Sequence, residues 1–257
     1  MSVITHFDPY TKTGNRMFQF AFGKLLSLEK GVTLHSQPIP GFANTYNYSI
    51  PFSNDNGFIT TMEFGAHKVD FNILKTTNKN IVVNSYLQKH QYYTQHQSLL
   101  KNLFSVPNSV NVDKNELVIH IRGTDYRAGN VHIRDHIYLD ILQRISPSKA
   151  SIVTDDINTD IVKTLCKNGA TVITQSNETN KGDGLNAHEM YDYLYMLKSN
   201  MLLISQSTFS WWAAFLGDQE KVIVPFDKQN EGMWKLSPGE DDIDLIFESD
   251  KIEKVIL

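Results

Sequence analysis

Two polar side chains, His120 and Arg122, stand where a buried apolar run ends, and their types suit the binding of an anion. Glu116-Leu117-Val118-Ile119-His120-Ile121-Arg122 reads as a buried parallel strand. Alternation puts His120 and Arg122 on one face and Ile119 and Ile121 on the other. A cation at the end of such a strand needs an anionic partner, because an unpaired buried charge is strongly unfavourable. Either a ligand or an internal ion pair to Asp125 would serve.

A second apolar run, Met201-Leu202-Leu203-Ile204, passes directly into Gln206-Ser207-Thr208-Phe209-Ser210-Trp211-Trp212. A strand that hands over to a helix exposes free backbone N–H groups and the positive end of the helix dipole, a site suited to phosphate. Ser207 or Thr208 can act as N-cap. The adjacent tryptophans are costly to expose, which predicts a helix enclosed by other elements. In open α/β sheets ligands sit beyond the carboxyl ends of the strands, so Arg122 and the Ser207-Thr208 turn are expected to converge on one anion.

The elements that must position these groups follow from periodicity. Strands near 117–122, 151–154, 170–174, 201–205 and 221–224 alternate with helices near 135–145, 158–167, 188–199 and 208–216. That repetition predicts an α/β fold whose C-terminal half is a doubly wound parallel sheet. In the first half, Ser2–Thr5 and Ile81–Val83 read as strands. Met17 to Lys30 carries apolar residues at helical spacing and is closed by Gly31. Gln88 to Phe104 reads as helical, residues 36–70 show no regular element, and Val106–Ser109 reads as a linker. The expected division is 1–112 and 113–257.

Composition narrows the classes. The 257 residues are 41% hydrophobic, ordinary for a globular core, and a net charge of −4 argues against nucleic acid as a partner. The single Cys166 excludes an internal disulfide and suits a reducing compartment. There is no run of roughly 18 apolar residues and no signal-peptide pattern. A cytoplasmic location is expected, with at most loose association with a membrane surface. Asp156-x-Asn158-x-Asp160 opens like a calcium loop, but Ile161 and Lys167 occupy the positions that need Gly and Glu. No metal is expected; Asp156 reads as an N-cap, and Asp155 faces the ligand side of its strand end.

Taken together the motifs resemble glycosyltransferase family 11, the α-1,2-fucosyltransferases. They are Gly14-Asn15-Arg16-Met17-Phe18-Gln19, Tyr86-Leu87-Gln88, His120-Ile121-Arg122-Gly123-Thr124-Asp125-Tyr126, Thr154-Asp155-Asp156, Tyr191-Asp192-Tyr193-Leu194-Tyr195-Met196 and Ser207-Thr208-Phe209-Ser210-Trp211-Trp212, in the family's order. The resemblance implies two facing Rossmann-like domains of GT-B type, the first on the acceptor side and the second holding GDP-fucose. It implies inverting transfer of fucose without a metal or other cofactor, to a glycan acceptor that is a galactoside. Arg122 is then the catalytic residue that meets the β-phosphate. Asn15, His120, Asp155, Asp192, Ser207, Thr208 and Phe209 bind the donor, with Asp192 accepting the N1–H and exocyclic amine of guanine. A solvent-facing carboxylate is the alternative for Asp192, and a satisfied core histidine for His120.

The chain departs from the family at Gly123, where a second arginine is usual, at Thr11-Lys12-Thr13 and at Arg16. Lys12, Arg16 or Arg127 are the cations available to compensate. Among Asp8, Glu63, His67 and Asp70 nothing ranks a general base. A fucosyltransferase of another linkage, or a nucleotide-sugar or glycan-binding protein with weak turnover, are the alternatives.

Overall fold

The structure, a computed structural model, describes residues 1–8, 11–48, 57–107, 110–123, 133–173, 187–226 and 239–256. Among these residues the chain forms two compact units. One is Met1–Val106 joined by residues 239–247, and the other holds the described residues from Pro107 to Phe226 and from Glu248 to Ile256.

The first unit is built on four parallel strands: β1 (Ser2–Thr5), β2 (Thr33–Ser36), β3 (Phe58–Thr60) and β4 (Asn80–Val83), in the order β2-β1-β4-β3. Its main helix, α1 (Thr13–Lys30), starts four residues earlier than the apolar stripe suggests and so takes Gly14, Asn15 and Arg16 into its first turn. The helix ends at Gly31, whose φ of 63° is the left-handed cap a glycine reaches without strain. Gly23 lets α1 lie close on the sheet: a Cβ there would fall 2.6 Å from the Thr5 methyl. Two shorter helices follow, α2 (Phe71–Thr76) and α3 (Gln97–Leu103), and the Lys30 ammonium donates to the Leu74 and Lys75 carbonyls at the end of α2.

The helix expected over Gln88–Phe104 is broken. Only Gln97–Leu103 is α-helical, preceded by 3-10 turns at His90–Tyr92 and Thr94–His96. The backbone at its start is committed elsewhere: Asp244 N–H donates to Gln88 O at 2.9 Å and His90 N–H to Asp244 O at 2.7 Å. Residues 239–247 thereby run alongside the segment that local periodicity assigns to a helix.

The second unit carries six parallel strands: β5 (Glu116–Ile121), β6 (Lys149–Thr154), β7 (Thr171–Val172), β8 (Met201–Leu203), β9 (Lys221–Phe226) and β10 (Ile252–Ile256). They lie in the order β10-β9-β8-β5-β6-β7. From β5 the chain winds outward through β6 and β7, then returns to β5's other side for β8, β9 and β10. The strand order therefore reverses between β5 and β8, the place where a doubly wound sheet opens a crevice at its carboxyl edge. Helices α4 (Asp135–Ile145), α5 (Asp160–Lys167), α6 (Ala187–Lys198) and α7 (Thr208–Leu216) connect the strands. Leu117, Ile119 and Ile121 share a core with Ile137 and Ile141 of α4 and with Ile161 and Leu165 of α5. This is the face that alternation assigned to the apolar residues. The opposite face of β5, with Val118 and His120, lies on the side of α7, where the His120 and Phe209 rings are 6.4 Å apart.

No helix among the described residues is long and apolar enough to cross a membrane.

Candidate active site

Several of the polar residues singled out from the sequence lie at the carboxyl ends of the central strands of the six-stranded sheet. Arg122 follows β5 by one residue and Asp155 follows β6 by one, and Arg122 Nη1 lies 2.8 Å from Asp155 Oδ2. The other carboxylate oxygen of Asp155 accepts the Gly123 N–H at 2.6 Å. Asp155 thus grips both the guanidinium and the backbone of the strand end, and it is an ion-pair partner of Arg122 among the described residues. Asp125, the partner considered from sequence, lies outside the described residues with Thr124, Tyr126 and Arg127. Both charged side chains keep about a fifth of their surface exposed, 23% and 22%. The pair is therefore accessible to a ligand.

Gly123 has a local reason. A Cβ at this position would come 3.1 Å from both Asp156 Cβ and Thr159 Cγ2, and 3.4 Å from Asp155 Oδ1. The turn after β6 fills the space that a second arginine would need. Asp156 shapes that turn by accepting the Asn158 N–H at 2.9 Å. It does not cap the helix as expected: α5 starts at Asp160, with Thr159 at the cap position, because the turn inserts residues between strand and helix.

His120 is 5% exposed and its Nδ1 is hydrogen-bonded with Ser205 Oγ at 2.6 Å. Burial pushes this histidine down to about 4; Asp155 opposes the shift and Arg122 adds to it. A neutral imidazole two residues from Arg122 places no second cation in the crevice. Ser205 was missed in the sequence. Its signal was the polar run Ser205-Gln206-Ser207 between two apolar segments, all of it buried.

Ser207 is the N-cap of α7, its hydroxyl accepting the Phe209 N–H at 3.3 Å, and Thr208 is the first helical residue. Trp211 and Trp212 are fully buried, and Trp211 stacks on Phe215 at 4.7 Å, so the start of α7 is fixed by the enclosure its composition demands. The half-buried Phe209 ring lies 5.5 Å from Tyr193 of α6 as well as near His120. Asp192, beside Tyr193, is 7% exposed, which removes the solvent-facing alternative.

Asn15 belongs to the first unit. There its side-chain oxygen accepts from the Gln88 amide at 2.8 Å. Arg16 is buried, donating through Nε to the Thr11 carbonyl at 2.7 Å and lying 5.7 Å over the Phe7 ring. Two of the possible bases have structural employment: Glu63 accepts the Thr60 N–H and Asp70 the Ile73 N–H, each at the start of a short helix.

With this geometry in view, the chain is similar to the structure of an Arabidopsis thaliana FUT1 mutant in complex with GDP. The TM-score is 0.53 at 11% identity, over 88% of this chain and 70% of that one. It is also similar to E. coli heptosyltransferase WaaC with ADP, with TM-score 0.49 and 8% identity over 100% of this chain and 93% of that one. No protein-family model matches the sequence, and no curated protein does. The fold is α/β with two parallel sheets, matching GT-B glycosyltransferase structures. A fold hosts many reactions, so the reaction is argued from the site.

Proposed function

We propose that this protein is an inverting glycosyltransferase that moves L-fucose from GDP-fucose to a hydroxyl of a galactoside, in α-1,2 linkage. The observation that supports the reading is that Arg122 and the Ser207 cap of α7 follow the carboxyl ends of the adjacent strands β5 and β8, where the strand order of the six-stranded sheet reverses. Breaking the fucose–phosphate bond leaves negative charge on the β-phosphate and an oxocarbenium-like sugar. Preorganised donors aimed at that charge lower the barrier most. A guanidinium and a helix N-terminus are such donors, and neither must be reorganised during the reaction. Ser207, Thr208 and Phe209 supply the turn that meets the diphosphate. Asp155 positions the Arg122 guanidinium, and His120 holds the nucleoside side of the site neutral. Asp192 reads guanine. The first unit takes the acceptor and the second the nucleotide.

Incubating the protein with GDP-fucose and lactose tests the reading. The expected result is a deoxyhexose mass increment on lactose and stoichiometric release of GDP. Gly123, standing where the family has a second arginine, favours a second reading as a nucleotide-sugar-binding protein with weak turnover. Tight GDP-fucose binding without transfer across a panel of acceptors would select it. Failure to bind GDP-fucose at all would overturn both.

A further inference from the structure

The carboxyl edge of the four-stranded sheet holds a cluster of chemistry of its own. Beyond β4, Tyr86 keeps 43% of its surface exposed, and its ring stacks on the His67 imidazole with centroids 5.9 Å apart and planes within 25°. The next residue, Leu87, is fully buried and has φ of 54°. That region is unfavourable for leucine by about 1–2 kcal/mol, and such strain persists only where surroundings enforce it, often at ligand sites. Here the Leu87 N–H donates to Ala66 O at 3.0 Å and its carbonyl accepts the Tyr93 hydroxyl at 2.8 Å. The enforced turn sends Leu87 inward and leaves Tyr86 facing out.

His67 is held as firmly. Its Nδ1 accepts the Gln88 N–H at 3.3 Å, and its carbonyl accepts the Tyr92 hydroxyl at 3.2 Å. With Nδ1 used as acceptor, the neutral ring carries its proton on Nε2. Burial, helped by Lys89 and opposed by Asp242, pushes this histidine down to about 4, so the ring is a neutral donor near pH 7. Gln88, whose N–H fixes His67, also donates its side chain to Asn15, joining this cluster to the first turn of α1.

We infer that Tyr86 and His67 form a sugar-binding platform for the acceptor. The C–H face of a hexopyranoside lies on the Tyr86 ring, whose face is electron-rich, and a sugar oxygen accepts from His67 Nε2–H. A galactoside suits a one-sided platform, because its axial O4 leaves the hydrogens of C3, C4 and C5 together on one face. The inference rests on the transfer reading only for the sugar being an acceptor; the binding itself stands on Tyr86 and His67.

The test is saturation-transfer NMR with methyl β-D-galactopyranoside and lactose, with a calorimetric GDP titration on the same sample. Tyr86→Ala is expected to weaken galactoside binding by roughly tenfold and to leave GDP affinity unchanged, the loss of one stacking contact. Tyr86→Phe is expected to bind as the parent does, and His67→Phe, which keeps a ring to stack but lacks the donor, to bind less tightly. In turnover, Tyr86→Ala should raise the acceptor KM and leave the GDP-fucose KM alone. Equal galactoside binding by the parent and Tyr86→Ala, or no galactoside binding by the parent, would overturn the platform. Galactoside binding without GDP binding would support the platform while sinking the transfer reading.

Discussion

Arg122 and Asp155 are neighbours because each is the first residue beyond the last registered pair of their strands, Ile121 and Thr154. In a parallel pair, residues in register share a face, so a cation on one strand end and a carboxylate on the next meet without any special turn. The resulting 2.8 Å contact and the Asp155–Gly123 N–H bond of 2.6 Å hold a guanidinium at the mouth of the crevice before any ligand arrives.

Removing that guanidinium should separate catalysis from stability. Arg122→Ala is expected to lower kcat by roughly 10²-fold or more, the scale of one transition-state charge stabiliser. Arg122→Lys should recover part of this, since an ammonium lacks the planar fork. The partly exposed ion pair predicts only a modest drop in melting temperature. Near-normal kcat per folded molecule, measured on the same purified sample as the melting curve, would remove Arg122 from the mechanism.

Gly123 makes a counterintuitive prediction. Placing an arginine at this position, Gly123→Arg, should reduce activity, because the side chain would enter space held by Asp156, Thr159 and Asp155. Gly123→Ala already brings contacts at 3.1 Å and should cost about 1–3 kcal/mol, the usual scale of overpacking. Melting temperature and turnover of both variants check this; a gain in kcat with Gly123→Arg would contradict it.

If Asp192 reads guanine, calorimetry should rank GDP well above ADP and UDP, and Asp192→Ala should erode that ranking. A site built to hydrogen-bond one base rejects ligands that leave its polar groups unpaired. Equal affinities for the three nucleotides in the parent protein would refute the assignment.

The histidines set a pH expectation. His67 and His120 are both pushed down from 6.5 to about 4, chiefly by burial, so folding favours their neutral forms. Their contribution to stability is then complete above about 6.5 and is lost as pH falls through about 4, because the unfolded chain takes up those protons first. Histidine NMR should show neither ring titrating between pH 5.5 and 8. A midpoint near 6.5 for His67 would instead return it to the possible general bases.

Charge neutralisation by Arg122 and a helix N-terminus also predicts turnover that survives excess chelator. Loss of activity in EDTA, restored by Mg²⁺ or Mn²⁺, would point to Asp155 and Asp156 as ligands instead.

The amino-acid pattern by itself determined what depends on near neighbours. The alternation in β5, the helical spacing closed by Gly31, the cap at Ser207 and the enclosed tryptophans of α7 are all set within a few residues. These patterns were enough for the α/β class and for placing Arg122 and Asp155 at strand ends. The short polar edge strand β10 escaped notice, because Glu253 and Lys254 blunt the alternation while Glu253 pairs with Arg144 and Lys221 across the surface. The broken helix at Gln88–His96 did too, since Asp244 competes for its backbone from far along the chain.

Only the tertiary structure decided who meets whom. Asp155, 33 residues away, became an ion-pair partner of Arg122, Ser205 met His120 from 85 residues away, and Tyr86 came to stack on His67. Each pairing follows from strand order and register, which bring distant segments to one sheet edge. Local periodicity specifies a residue's face, but the neighbour across that face is chosen by how the sheet is wound.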